Sequence, residues 1–93
     1  MKILIEVSFS FKKDIDPRGA RIDVPDGADV LQAMRELARR YPAVAPRLFD
    51  EKGAVHRHIS VLVNGENAAF KRGLKTILRN GDRLTLVPPV GGG

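Results

Sequence analysis

The chain has 93 residues, of which 43% are hydrophobic and 29% charged, a balance that fits one globular domain with its own core and excludes a disordered chain. It has no cysteine, so disulfides, thiolate metal sites and a cysteine nucleophile are excluded. Its net charge of +5 and pI near 10.1 point toward nucleic acid, toward an acidic protein partner, or only to a solvated basic surface.

Ile3, Ile5, Val7, Phe9 and Phe11 alternate with Leu4, Glu6, Ser8 and Ser10, which predicts a half-buried strand over 3–11. Its first carboxylate, Glu6, comes too early for a signal peptide. A polar turn with Pro17 and Gly19 follows, and Ala20, Ile22 and Val24 then form a second strand, pairing with the first as a hairpin. Pro25-Asp26-Gly27 stops that strand, and Asp29 can cap a helix starting at Val30. Val30, Leu31, Ala33, Met34, Leu37, Ala38 and Tyr41 make its apolar stripe, Arg39 and Arg40 suit its C-terminal dipole, and Pro42 ends it. A short second helical turn is expected around Val44, Leu48 and Phe49, and a loop over 50–53.

Ile59, Val61 and Val63 predict a third strand, closed by the tight turn Asn64-Gly65. The stretch 67–78 reads as a short strand and an irregular loop, because Lys71-Arg72-Gly73 interrupts its apolar residues. Asn80-Gly81-Asp82 is a turn, and Leu84 and Leu86 mark a last strand, ended by Pro88-Pro89. Two hairpin halves around one helix bury both apolar faces best as a mixed sheet with the helix across one side, the first and last strands adjacent at its centre. No stretch approaches the roughly 20 apolar residues of a membrane span, so a cytoplasmic protein without a membrane partner is expected.

The end of the chain, Pro88-Pro89-Val90-Gly91-Gly92-Gly93, carries the strongest functional signal. Three glycines pack no side chain and cost entropy to order, while two prolines favour an extended path out of the strand. Such an arm reaches roughly 20 Å, thin enough to thread a narrow channel and present its terminal carboxylate inside another protein. A frayed terminus has the same composition, so these residues alone leave both readings open.

Elsewhere the signals are weaker. Leu4, Leu62 and Val87 fall opposite the core-facing positions of their strands and form a candidate partner-binding face, with Arg72, Lys75, Arg79 and Arg83 steering acidic partners. His56 and His58 share one strand face and could chelate a metal, but no third ligand stands at a supporting spacing, so no metal is expected. No hydrolase triad or phosphate-binding glycine loop is visible. No basic-aromatic interleaving suggests a base-stacking platform, so no nucleic-acid partner is expected.

Val61-Leu62-Val63-Asn64-Gly65, then Gly81-Asp82-Arg83-Leu84, then the proline-proline-valine-glycine-glycine-glycine end, with the helix opening Pro25-Asp26-Gly27-Ala28-Asp29-Val30 and its close Tyr41-Pro42, resemble the MoaD/ThiS family of small ubiquitin-like sulfur carriers over essentially the whole chain. The resemblance implies an α+β, β-grasp (ubiquitin-like) domain over 1–87, with four to five strands in a mixed sheet on one main helix, and an extended glycine tail over 88–93. It implies that the Gly93 carboxylate, beside Gly92, is adenylylated by a ubiquitin-activating-type adenylyltransferase using ATP and magnesium, then converted to a thiocarboxylate (1-thioglycine). The carrier itself would bind no cofactor and hold no catalytic residue.

The implied acceptor is first the large subunit of molybdopterin synthase, in molybdenum cofactor biosynthesis. The alternatives are enzymes of cysteine synthesis or tRNA thiolation, or target lysines joined to the chain as to a protein modifier. Two positions depart from the family pattern. Gly91 stands where alanine is usual, and Val87 where molybdopterin subunits often have phenylalanine. The stretch from His56-Arg57-His58 through Phe70-Lys71-Arg72-Gly73-Leu74 also resembles the carriers that serve cysteine synthesis.

Overall fold

In the computed structural model, which describes residues 1–7, 19–56 and 59–87, the opening alternation becomes strand β1, Lys2–Val7. Ile3, Ile5 and Val7 are buried, and Leu4 and Glu6 lie on the other face, as period-two geometry requires. The remainder of the expected first strand, with Phe9 and Phe11, lies outside the described residues. Strand β2, Ala20–Asp23, pairs antiparallel with β1 and buries Ala20 and Ile22.

Helix α1, Val30–Arg40, starts at Asp29, whose Oδ1 accepts from the Gln32 backbone N–H at 2.9 Å. Gln32 Oε1 accepts from the Asp29 N–H at 2.9 Å, so two of the donors a helix start leaves unpaired are satisfied reciprocally. Val30, Ala33, Met34 and Leu37 are buried along one stripe. Tyr41 closes the helix, donating its N–H to the Leu37 carbonyl, and Pro42 follows in a one-turn 3-10 helix. Helix α2, Ala45–Leu48, is the second turn expected from the sequence, with one difference: Phe49 is already extended and bridges to Val55. The Asp50 carboxylate forces that reversal by accepting from the Lys52 and Ala54 N–H groups.

Strand β3, Ser60–Val63, turns through Asn64 and Gly65, both at positive φ (51° and 86°), into the two-residue strand β4, Glu66–Asn67. A turn with both central residues left-handed matches strand twist, which is why Asn-Gly stands there. The interrupted stretch that follows forms two 3-10 turns, Ala68–Phe70 and Gly73–Lys75. It then runs beside the start of α1, with Val30 N–H donating to the Thr76 carbonyl and Leu78 N–H to the Ala28 carbonyl. Strand β5, Arg83–Val87, completes the sheet.

The sheet order is β2-β1-β5-β3-β4, with β5 parallel to β1 and antiparallel to β3. The first and last strands thus lie side by side at the centre. The core sits between the sheet and α1, where Ile3, Ile5, Leu84 and Leu86 meet Met34 and Leu37, all at 0% exposure. Each such side chain contributes about 1.5–3 kcal/mol by leaving water. This is the ubiquitin-like β-grasp arrangement, a five-stranded mixed sheet on one main helix with a short second one. Among the described residues, no helix is long and apolar enough to cross a membrane.

Candidate functional site

The site is organised around β5, whose Leu84 and Leu86 are fixed in the core while Arg83, Thr85 and Val87 face the side of the sheet that no helix among the described residues covers. Register places Leu4 beside Arg83, Glu6 and Leu62 on either side of Thr85, and Ser60 beside Val87. Leu4, Leu62 and Val87 therefore share one open face, and each is half-buried. They do not form a continuous apolar surface. Glu6 and Arg83 pair at 3.5 Å between them, and Leu4 and Leu62 stand two strands apart, roughly 10 Å between strand axes.

Gly19 closes over one side of this face at φ +97°; a Cβ there would lie 3.0 Å from Leu4 Cδ1 and 3.0 Å from the Ile5 carbonyl oxygen. Only glycine combines that φ with so close an approach. At the edge, the Lys2 ammonium donates to Asp23 at 2.8 Å and holds that carboxyl below its usual range. Glu36, on the far side of α1, is lowered in the same way by its hydrogen bond from Arg39.

The start of β5 is held by a polar clamp that the sequence marks only as two turns. Asn64 Oδ1 accepts from the Arg83 N–H at 3.0 Å, and Asn64 Nδ2 donates to Asp82 Oδ1 at 2.9 Å. Asp82 Oδ2 accepts from the Arg79 N–H at 2.8 Å. One turn's side chain thus completes the other's, and one amide orientation satisfies every group. On the β1 side, Leu4 N–H donates to the Asp82 carbonyl and Gly81 N–H to the Lys2 carbonyl. Asn64 and Asp82, read from the sequence as turn residues, fix where β5 begins. Their signal was present, since Asn and Asp side chains bond local backbone readily, but the pairing across 18 residues was not.

Asp82→Ala is expected to lower stability by about 1–2 kcal/mol, since two hydrogen bonds are lost at a partly exposed position. A urea titration should show this as a lower midpoint with an unchanged slope.

The structure separates the other predicted residues. Arg72 and Lys75 are exposed on the segment after β4, outside the sheet, and so is Arg79; Arg83 alone of the four cations lies on the open face. His56 precedes β3 rather than lying in it, and its Nε2 is 3.0 Å from the Pro46 carbonyl oxygen. It lines a recess of about 710 Å³ with Ala45, Pro46, Phe49, Asp50, Glu51 and Lys52. Among the described residues, no group of three His, Asp or Glu could hold a metal ion. His58 and the tail positions Pro88, Pro89, Val90, Gly91, Gly92 and Gly93 lie outside the described residues.

Comparison with known proteins joins this geometry to a family. The ThiS family model matches residues 9–93. The chain is 41% identical over 76 residues to small archaeal modifier protein 1 of Haloferax volcanii, covering 82% of this chain and 83% of that one. The crystal structure of SAMP1 from Haloferax volcanii superposes with a TM-score of 0.88 at 33% identity, over 100% of both chains. The sulfur carrier protein CysO of Mycobacterium tuberculosis is 35% identical over 78 residues, 81% of this chain and 84% of that protein. The crystal structure of the Amycolatopsis orientalis BexX/CysO complex contains a chain that matches with a TM-score of 0.78 at 28% identity, covering 98% of this chain and 99% of that one. The chain belongs to the ThiS family, ubiquitin-like β-grasp proteins whose members similar to this one include sulfur carriers and small protein modifiers.

Proposed function

We propose that this chain carries sulfur on its C-terminal glycine. The carboxylate of Gly93 attacks the α-phosphorus of ATP, pyrophosphate leaves, and a mixed anhydride with AMP forms on an adenylylating enzyme. A sulfur nucleophile at the oxidation level of sulfide then adds to the acyl carbon and expels AMP, leaving a thiocarboxylate. Magnesium, ATP and the catalytic groups belong to the activating enzyme. A carboxylate is a poor electrophile and AMP a good leaving group, so the energy of ATP enters at that step.

The observation that carries the proposal is the placement of β5. It is the central strand, anchored by Leu84 and Leu86 and clamped at its start by Asn64 and Asp82, and in sequence it is followed directly by Pro88-Pro89-Val90-Gly91-Gly92-Gly93. A rigid base ahead of a thin arm suits delivery of a terminal group into another enzyme's site. The open face bearing Leu4, Leu62 and Val87 is the proposed docking surface for that enzyme.

The large subunit of molybdopterin synthase remains one acceptor within the proposal. The similarity to CysO weighs toward an acceptor of another sulfur pathway. The similarity to small archaeal modifier protein 1 favours a second reading, in which the same activated glycine is joined to a lysine amine of a target protein. All of these share the adenylylated terminus.

Co-expression with an adenylylating enzyme of this family and a sulfur source should raise the intact mass by about 16 units, as sulfur replaces oxygen. Methionine oxidation adds nearly the same mass, and Met1 and Met34 are the methionines of the chain. Fragmentation must therefore place the change at Gly93, and a thiol-alkylating reagent must capture it. A change confined to Met1 or Met34 would overturn the proposal. Gly93 found joined to lysines of other proteins would establish the second reading.

A further inference from the structure

Phe70 is 90% exposed and Ile77 57% exposed, the large hydrophobic side chains left outside the core among the described residues. Both lie on the segment between β4 and β5, whose Ala68, Thr76 and Leu78 are buried, so the segment is anchored and these two side chains are held out from it. An exposed apolar side chain is common, but two on one short anchored segment mark a contact surface.

The charge on that segment is one-sided. Residues 68–79 contain Lys71, Arg72, Lys75 and Arg79 and no Asp or Glu. All four cations are exposed; Lys71 meets Glu66 at 3.4 Å, and the side chains of Arg72, Lys75 and Arg79 make no ion pair among the described residues. Lys71, Ile77 and Arg79 line one recess of about 380 Å³ with Val63, Asn64 and Asp82. Asp82, whose carboxylate accepts from Asn64 Nδ2 and the Arg79 N–H, brings one negative charge to the recess against the two cations on its rim. Asn64 and Asp82 also locate the recess. They stand at the end of β3 and β5 opposite Val87, roughly 16 Å along β5 from it.

We propose that Phe70, Ile77 and the cations between and beside them form a second docking surface, separate from the open sheet face, for an acidic protein segment that presents an apolar side chain. Opposite charge supplies the long-range attraction and orientation, and Phe70 and Ile77 supply the apolar contact. A protein partner fits better than nucleic acid. Stacking on single strands uses successive aromatic rings, and Phe70 is a single ring accompanied by an aliphatic Ile77. The recess stands at the opposite end of β5 from Val87, whereas Ala68 and Ala69, just before Phe70, line a recess with Ser60, the strand neighbour of Val87, so a partner that spans both also approaches the end of β5.

The test uses the full chain labelled with ¹⁵N and four probes: a short Glu-rich synthetic peptide with a central Leu-Phe pair, the same peptide with Ser-Ser at the centre, a Lys-rich counterpart, and a single-stranded oligonucleotide. The first peptide should bind with a Kd on the order of 10–100 μM, shift amide signals of residues 63–64 and 70–79, and weaken as salt rises. Phe70→Ser should weaken it at least about tenfold without loss of fold, since the ring is almost fully exposed. Lys75→Glu combined with Arg79→Glu should do the same. Equal binding of the Leu-Phe and Ser-Ser peptides, shifts confined to residues 4, 62, 85 and 87, or tighter binding of the oligonucleotide than of any peptide would each overturn the proposal.

Discussion

Removing Gly93 alone, or Gly92 with Gly93, is expected to abolish sulfur loading while the fold stays intact. The chemistry of the end group does not explain such a loss, because both truncated chains still end in a glycine carboxylate, that of Gly92 or of Gly91. What changes is reach. Each residue of an extended arm spans about 3.3–3.6 Å, so one deletion already moves the reacting carbon by more than the tolerance of a near-attack geometry. Stability should be almost unaffected. Among the described residues every buried hydrophobic side chain lies between Ile3 and Leu86, and the deleted glycines have no side chain to pack. The change should stay within a few tenths of a kcal/mol, or about 2 °C in Tm. A thermal melt and an adenylylation assay with thiocarboxylate capture decide the matter together. Truncated protein that still loads sulfur would remove Gly93 from the mechanism. Gly93→Ala separates reach from width: it keeps the length and adds one methyl, so a loss there would show that the partner's channel admits only bare backbone.

Val87→Asp is expected to weaken affinity for the activating enzyme by about ten- to a hundredfold, roughly 1.4–2.7 kcal/mol, with a smaller effect on the fold. Val87 is half-buried at the last position of β5, beside Ser60 on the uncovered side of the sheet. A carboxylate there stays in water in the free protein. In the complex it would be pressed against the partner without a counter-ion, and an unpaired buried charge is costly. Leu62→Asp, on the same face beside Thr85, should act in the same direction. Leu86→Asp is the contrasting control, since Leu86 is fully buried and its replacement should unfold the domain rather than weaken binding selectively. Calorimetric titration with urea denaturation of each variant separates the outcomes. Unchanged affinity for both Val87→Asp and Leu62→Asp would move the docking surface off the open face.

The sequence by itself determined the elements whose physics is local. Alternation in Ile3-Ile5-Val7 and Leu84-Leu86 defines which strand face is buried, because period two leaves a side chain no third direction. Asp29, Pro42 and Asn64-Gly65 end or start elements through backbone donors and positive φ, which need no distant partner. The glycine end stood out by composition, which by itself left its role open. Only the tertiary structure decided what depends on residues far apart in the chain. Phe70 and Leu78 are both large apolar side chains in one irregular stretch, yet one is 90% exposed and the other 2%. The difference comes from the hydrogen bonds that Thr76 and Leu78 make to the start of α1, nearly 50 residues away in sequence, which turn Leu78 inward and leave Phe70 on the outside. In the same way, Arg72 and Lys75 were grouped with Val87 by charge and apolarity, and the folding of the stretch after β4 into 3-10 turns carries them on a segment outside the sheet. Asn64 and Asp82 were legible as turns, but their pairing depended on β3 and β5 meeting in one register. Element order alone placed the first and last strands together at the centre, but which side chains meet across that sheet is chosen by the energy of the whole packing.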